Sequence, residues 1–113
     1  MKKAAKAAEL NGVPRYFGDW RKLVECPYID ALAIALPPVL QPQVAMAALR
    51  AGKAVFCEKP LATSLQEAQK LVAVARSVKV FGTVDFIFPE VLAWQEAKRF
   101  LDEGELGVLR HAA

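Results

Sequence analysis

Two short segments of the chain combine residue types that could do chemistry. In Cys57-Glu58-Lys59-Pro60 a lysine stands between an acid and a proline, directly after a short apolar run. Pro60 narrows the conformations open to Lys59 and allows a cis Lys59–Pro60 bond. A lysine fixed in this way could donate to a substrate hydroxyl or carbonyl. Partial burial would favour its neutral amine and a neighbouring Glu58 carboxylate its ammonium, so those two effects compete. The second segment, Leu36-Pro37-Pro38, closes another apolar run. Its prolines form a rigid turn without backbone donors, beside which a flat ring or a ribose could lie. Each segment also has a plainer reading, as a solvated loop lysine and as a simple strand stop.

Both segments depend on the elements that carry them. Ile29–Leu36 is nearly all apolar and predicts a strand covered on both faces. Leu40, Val44, Ala47, Ala48 and Ala51 then share a helical stripe that Gly52 ends. Ala54–Cys57 is a second strand. Ser64 and Glu67 form a capping box for a helix whose stripe is Leu65, Ala68, Leu71, Val72 and Ala75. Lys79–Phe88 reads as a third strand. Pro89 suits the first turn of a last helix, in which Ala93, Trp94, Ala97, Phe100 and Leu101 share a face and which Gly104 terminates. Upstream, Lys2–Leu10 predicts a helix stopped by Asn11-Gly12, and Val13–Phe17 is a short extended piece. Asp19 caps a brief helix through Val24 that Cys26-Pro27 ends. Val108–His111 looks like the start of one more strand. Alternating strands and helices at this spacing imply an α/β fold with a parallel sheet of about three main strands and flanking helices. In such a sheet, ligands bind at the carboxyl ends of the strands, where both segments fall.

Composition narrows the functions open to the chain. Its 113 residues suit one domain and one modest core, with 55% hydrophobic and 24% charged residues. The net charge is +3, with 15 basic and 12 acidic residues interleaved rather than gathered in a stripe, which argues against nucleic-acid binding. Lys2, Lys3 and Lys6 read as the outer face of a helix, or else as a short basic arm. No apolar stretch reaches the roughly 20 residues of a membrane span. The N-terminus has no secretory pattern, so a cytoplasmic location is expected. Cys26 and Cys57 make no disulfide framework and read as reduced, partly buried side chains. With His111 the single histidine, no metal site is expected.

The run from Ala51-Gly52-Lys53 to Glu58-Lys59-Pro60-Leu61-Ala62, preceded by Asp30-Ala31-Leu32-Ala33-Ile34-Ala35-Leu36-Pro37-Pro38, resembles the glucose–fructose oxidoreductase, inositol dehydrogenase and MocA (Gfo/Idh/MocA) family. The resemblance extends from Pro14 and Tyr16 to the Asp102–Gly107 stretch. It implies an N-terminal Rossmann domain for NAD or NADP, a C-terminal α/β substrate domain, and hydride transfer to or from sugars, polyols and related compounds. It also implies that Lys59 contacts substrate and supports proton transfer. By the same likeness, Leu36, Pro37 and Pro38 lie against the nicotinamide end of the cofactor, and Glu58, with Pro60 beside it, touches the nicotinamide ribose.

Three departures qualify this likeness. The family's first βαβ unit, with its Gly-x-Gly-x-x-Gly pyrophosphate loop, is not among these residues, and Lys2–Leu10 resembles the helix after the second strand. The substrate domain would begin only at about residues 108–113. Gln41 stands where the family often has histidine, and Asp85-Phe86-Ile87-Phe88-Pro89 lacks the Asn and Arg frequent there. Residues 1–113 are thus expected to be the C-terminal portion of an incomplete NAD(P)-binding Rossmann domain, inactive alone. The alternative is a non-catalytic remnant or interaction module. Its apolar edge or half-covered sheet face would pair with a second copy, as a homo-oligomer, or with a separate chain carrying the glycine loop.

Overall fold

The computed structural model describes residues 2–108 and 110. The elements in chain order are α1 (Lys2–Leu10), α2 (Trp20–Glu25), β1 (Ala31–Ile34), α3 (Gln41–Arg50), β2 (Ala54–Cys57), α4 (Leu65–Val78), β3 (Gly82–Val84), a short 3-10 turn (Phe88–Glu90) and α5 (Leu92–Asp102). The strands form one parallel sheet in the order β1-β2-β3, with Ile34 opposite Cys57 and Cys57 opposite Val84. Chains leaving parallel strands must cross back over the sheet, and α3 and α4 make these crossings and pack against each other.

Local signals set most helix ends. The Asp19 carboxylate accepts the Arg21 N–H at 2.9 Å and opens α2. At α4, Ser64 Oγ accepts the Glu67 N–H at 3.2 Å. The Glu67 carboxylate then accepts hydrogen bonds from the Thr63 and Ser64 hydroxyls rather than reaching back to the cap backbone. Gly52 adopts φ +75° after α3, a left-handed conformation that glycine reaches without a Cβ penalty.

The structure shortens or shifts several expected elements. The first strand is Ala31–Ile34 rather than Ile29–Leu36. The third is only Gly82–Val84, because α4 runs on to Val78 and Lys79 ends it in a left-handed turn at φ +55°. Pro89 sits in the 3-10 turn, and extended Val91 separates it from α5. The strand expected over Val108–His111, and with it the start of a second domain, involves Leu109 and residues 111–113, which lie outside the described residues.

The core lies on one side of the sheet. Leu32 and Ile34 of β1 and Val55 and Cys57 of β2 are buried with Val44, Ala48 and Leu49 of α3 and Leu71 of α4. The alternate residues Ala31, Ala33 and Phe56 are exposed, so β1 is covered on one face and not on two. Alanines at the outward positions make the run look uniformly apolar, and alanine is tolerated on either face. The α3 stripe is also displaced from its expected position: Gln41, Val44, Ala45, Ala48 and Leu49 are buried, while Leu40 and Ala51 are exposed. In α4 only Leu71 is fully buried, and Leu65 is exposed. None of the described residues of α5 is buried. That helix packs chiefly on the 3-10 turn, where Phe88 and Trp94 meet edge to face at 5.7 Å. Its polar face carries Lys98–Asp102 and Arg99–Glu96 ion pairs, a solvated surface as the charge pattern predicts.

Candidate functional site

The carboxyl ends of β1 and β2 leave the sheet side by side. Ile34 and Cys57 are register partners, and the Glu58 N–H continues the ladder by donating to the Ile34 carbonyl at 2.9 Å. Leu36 lies two residues beyond Ile34, and Lys59 two beyond Cys57. Paired strands run about 4.8 Å apart, so the two segments singled out in the sequence emerge as neighbours. On the far side, the Asp85 N–H donates to the Cys57 carbonyl at 2.8 Å and ties in the end of β3.

Leu36-Pro37-Pro38 is more than a strand stop. The Pro37 carbonyl accepts the Leu40 and Gln41 N–H groups at 2.8 and 3.1 Å, and so starts α3 without any side-chain cap. Leu36 and Pro37 are exposed and Pro38 half-buried. Neither proline carries an N–H, so this shelf is apolar and poor in donors.

Glu58 is half-buried, and its carboxylate accepts the N–H of the next residue, Lys59, at 3.0 Å. It is not ion-paired with the Lys59 ammonium, and none of the ion pairs among the described residues involves Lys59. Lys59 and Pro60 are exposed, and the Lys59–Pro60 bond is cis. Of the two settings weighed for Lys59, partly buried or solvated, the structure shows the solvated one. A carboxylate with acceptor capacity to spare, an ammonium with three donors and an apolar shelf suit a ribose hydroxyl beside a flat ring. The set fits the nicotinamide end of a dinucleotide. A pyrophosphate would need a run of glycine N–H groups, which these residues do not supply.

Two buried polar residues received no role from the sequence, one beside the site and one remote from it. Gln41 begins α3, is 1% exposed, and its Nε2 donates to the Glu58 carbonyl at 2.5 Å and the Pro60 carbonyl at 3.0 Å. The available signal was one polar residue on an otherwise apolar stripe, visible once that stripe is phased on Gln41 rather than Leu40. Lys53, 7% exposed, donates its Nζ to the carbonyls of Cys26 and Ile29 at 2.7 and 2.5 Å, at the opposite end of the sheet. No pattern within its own segment reveals that.

Cys57 is 1% exposed, and burial pushes its thiol above the ordinary value of 9.0. Nucleophilic catalysis needs the thiolate, so Cys57 is packing rather than chemistry. Cys26 is half-buried, and both cysteines are free. Ellman's reagent at pH 7.5 is expected to modify Cys26 in the folded chain, and Cys57 only as the chain unfolds. The sign for stability follows from the raised value. Between 9.0 and the higher folded value the unfolded chain has lost its proton while the folded chain keeps it, so stability is full below 9.0 and falls as pH rises through that window. Equal labelling rates for the two thiols in the native state would contradict this placement. The apolar pocket between the sheet and helices α3 and α4, walled by Leu49, Cys57, Leu71 and Val84, lies in the same packed layer and offers no charged group to a ligand. Among the described residues no cluster of three metal-ligating side chains occurs, and no helix is long and apolar enough to cross a membrane.

Comparison with known proteins bears on these features together. The family model of the Gfo/Idh/MocA oxidoreductases, described as an NAD-binding Rossmann fold, matches residues 1–86. Levoglucosan dehydrogenase of Pseudarthrobacter phenanthrenivorans is 34% identical over 104 residues, which cover 92% of this chain and 27% of that protein. A solved levoglucosan dehydrogenase in complex with NADH and levoglucosan superposes with a TM-score of 0.82 at 33% identity, covering 94% of this chain and 29% of its own. A 3-ketoreductase from Actinomadura kijaniata in complex with TDP-benzene and NADP gives 0.84 at 33% identity, covering 91% and 32%. The chain thus spans less than a third of the length of each of these relatives.

Proposed function

The chain belongs to the Gfo/Idh/MocA oxidoreductase family, with its NAD-binding Rossmann fold, and from that premise we propose that it forms the nicotinamide-side portion of an NAD(P)-dependent oxidoreductase acting on a sugar, polyol or related compound. The observation that carries this reading is the neighbouring exit of Leu36-Pro37-Pro38 and Glu58-Lys59-Pro60 from paired strands. Leu36, Pro37 and Pro38 form the apolar face on which the nicotinamide ring rests. Glu58 accepts a hydrogen bond from the adjoining ribose, and Pro60 holds the turn behind it. The nicotinamide, when bound, supplies or receives the hydride. In the reductive direction the Lys59 ammonium gives a proton to the carbonyl oxygen as that carbon is reduced; in the oxidative direction its amine takes the hydroxyl proton. The sugar class is favoured because relatives are named for levoglucosan and for a dTDP-sugar reductase. The rest of the site, including the pyrophosphate contacts, belongs to segments outside these residues, so the 113 residues alone are expected to bind weakly and not turn over.

Titration of the 15N-labelled chain with reduced nicotinamide mononucleotide tests the reading without any turnover. Amide shifts are expected at Leu36, Glu58 and Lys59. Shifts confined to the opposite sheet end around Lys53, or none at all, would defeat it. A second reading, a non-catalytic module that pairs with another chain, draws on the bare face of Ala31, Ala33 and Phe56 and on the unburied α5. Resonances that broaden with chain concentration while staying indifferent to the nucleotide would favour it.

A further inference from the structure

We propose that Gln41 is the positioning residue of this site: one buried amide grips the backbone on both sides of Lys59 and so fixes where its ammonium can stand. The inference rests on the reading of Lys59 as the proton-transfer group. Gln41 Nε2 donates to the carbonyls of Glu58 and Pro60, the residues immediately before and after Lys59. Both acceptors are carbonyls, which dictates the amide's orientation: the NH2 faces the loop and Oε1 faces away. Oε1 is the single buried side-chain polar atom among the described residues without a partner. A buried acceptor left unpaired is destabilising, and the neighbours of Gln41 on the same stripe are the apolar Val44, Ala45 and Ala48. An apolar residue would therefore suit the packing at position 41. The polar one serves the loop.

The backbone of the segment is held almost throughout. Glu58 N–H is held by the Ile34 carbonyl and Lys59 N–H by the Glu58 carboxylate. Pro60 has no N–H, and the Glu58 and Pro60 carbonyls are held by Gln41. From Glu58 N to Pro60 O, the Lys59 carbonyl is the one group without a hydrogen-bond partner among the described residues. Lysine carries its charge on a flexible four-carbon stem, so accuracy at Nζ has to come from a fixed Cα. Because Gln41 follows directly on the Pro37-Pro38 turn, the same contact couples the ring-facing shelf to the lysine loop.

The test is a double-mutant cycle in the holoenzyme, using Gln41→Met, which keeps length and loses the donors, and Lys59→Met. Gln41→Met is expected to lower kcat roughly tenfold or more, since small misplacements of a reacting group are costly, while KM for the nicotinamide nucleotide changes little. In the Lys59→Met background the same substitution is expected to have almost no further effect on kcat. Gln41→His, with one ring N–H for two carbonyls, is expected to fall between. Additive losses, or an unchanged kcat in Gln41→Met, would overturn the proposal. If Gln41→Met fails to fold, amide exchange in Gln41→His decides: Lys59 N–H should exchange faster than in the parent while Val55 N–H does not, and equal Lys59 rates overturn it. A Lys59→Met enzyme with full activity would instead sink the underlying reading of Lys59, so the two failures are distinguishable.

Discussion

Lys59→Met is expected to lower kcat for polyol oxidation or carbonyl reduction by roughly 10²–10⁴-fold, the usual contribution of a positioned acid–base group. Methionine preserves the reach and the apolar stem while removing the proton and the charge. The Lys59 ammonium has no ion pair among the described residues, and the side chain is exposed, so its removal leaves no buried partner stranded. Stability should therefore stay within the roughly ±0.5 kcal/mol typical of surface substitutions. A kinetic loss with an unchanged melting curve is the signature sought. Steady-state kinetics of the holoenzyme with NAD+ and NADP+, over a panel of sugars and polyols, provide the measurement. A kcat within twofold of the parent would remove Lys59 from the chemistry.

The second large effect concerns stability. Lys53→Met is expected to destabilise the chain by about 2–4 kcal/mol, because hydrogen bonds to charged donors contribute about 1.5–3 kcal/mol each and stranded acceptors add a penalty. The carbonyls of Cys26 and Ile29 lose the ammonium together, and Cys26 keeps only the longer contact from the Ile29 N–H at 3.3 Å. The loop they belong to links α2 to β1, and among the described residues no other side chain donates to either carbonyl. Against a total stability of about 5–15 kcal/mol for a domain, this is a large fraction. Urea denaturation should show a lower midpoint with an unchanged slope. The Lys59 amide, at the other end of the strands, should not shift in the NMR spectrum. A loss below about 0.5 kcal/mol would mean that water replaces the ammonium without cost. Arginine is not expected to restore the parent value, since its planar fork does not fit a point contact made by a buried ammonium.

These two lysines separate what was legible in the sequence from what was not. Lys59 stands out as a candidate because a distinctive string surrounds it and because parallel strands present their ligands at their carboxyl ends. Lys53 belongs to the same string, yet its bonds reach back 24 and 27 residues. Gln41 was noted only as a departure from a family pattern, while its bonds span 17 and 19 residues. A one-residue error in phasing the α3 stripe was enough to hide that it points inward.

The order of elements, the parallel α/β class, the caps at Asp19 and Ser64, the left-handed turn at Gly52 and the membership carried by Glu58-Lys59-Pro60 are all written in the residues themselves. Those features depend on residues within three or four positions of one another, or on a motif read directly. It takes the folded chain to show that β1 is covered on one face, that Glu58 turns to its neighbour's N–H rather than to the lysine ammonium, and that Gln41 and Lys53 hold distant carbonyls. The physical reason is common to all of them. A buried polar group takes whichever partner the strand register and helix packing bring within about 3 Å, and nothing in the local composition records which partner that will be.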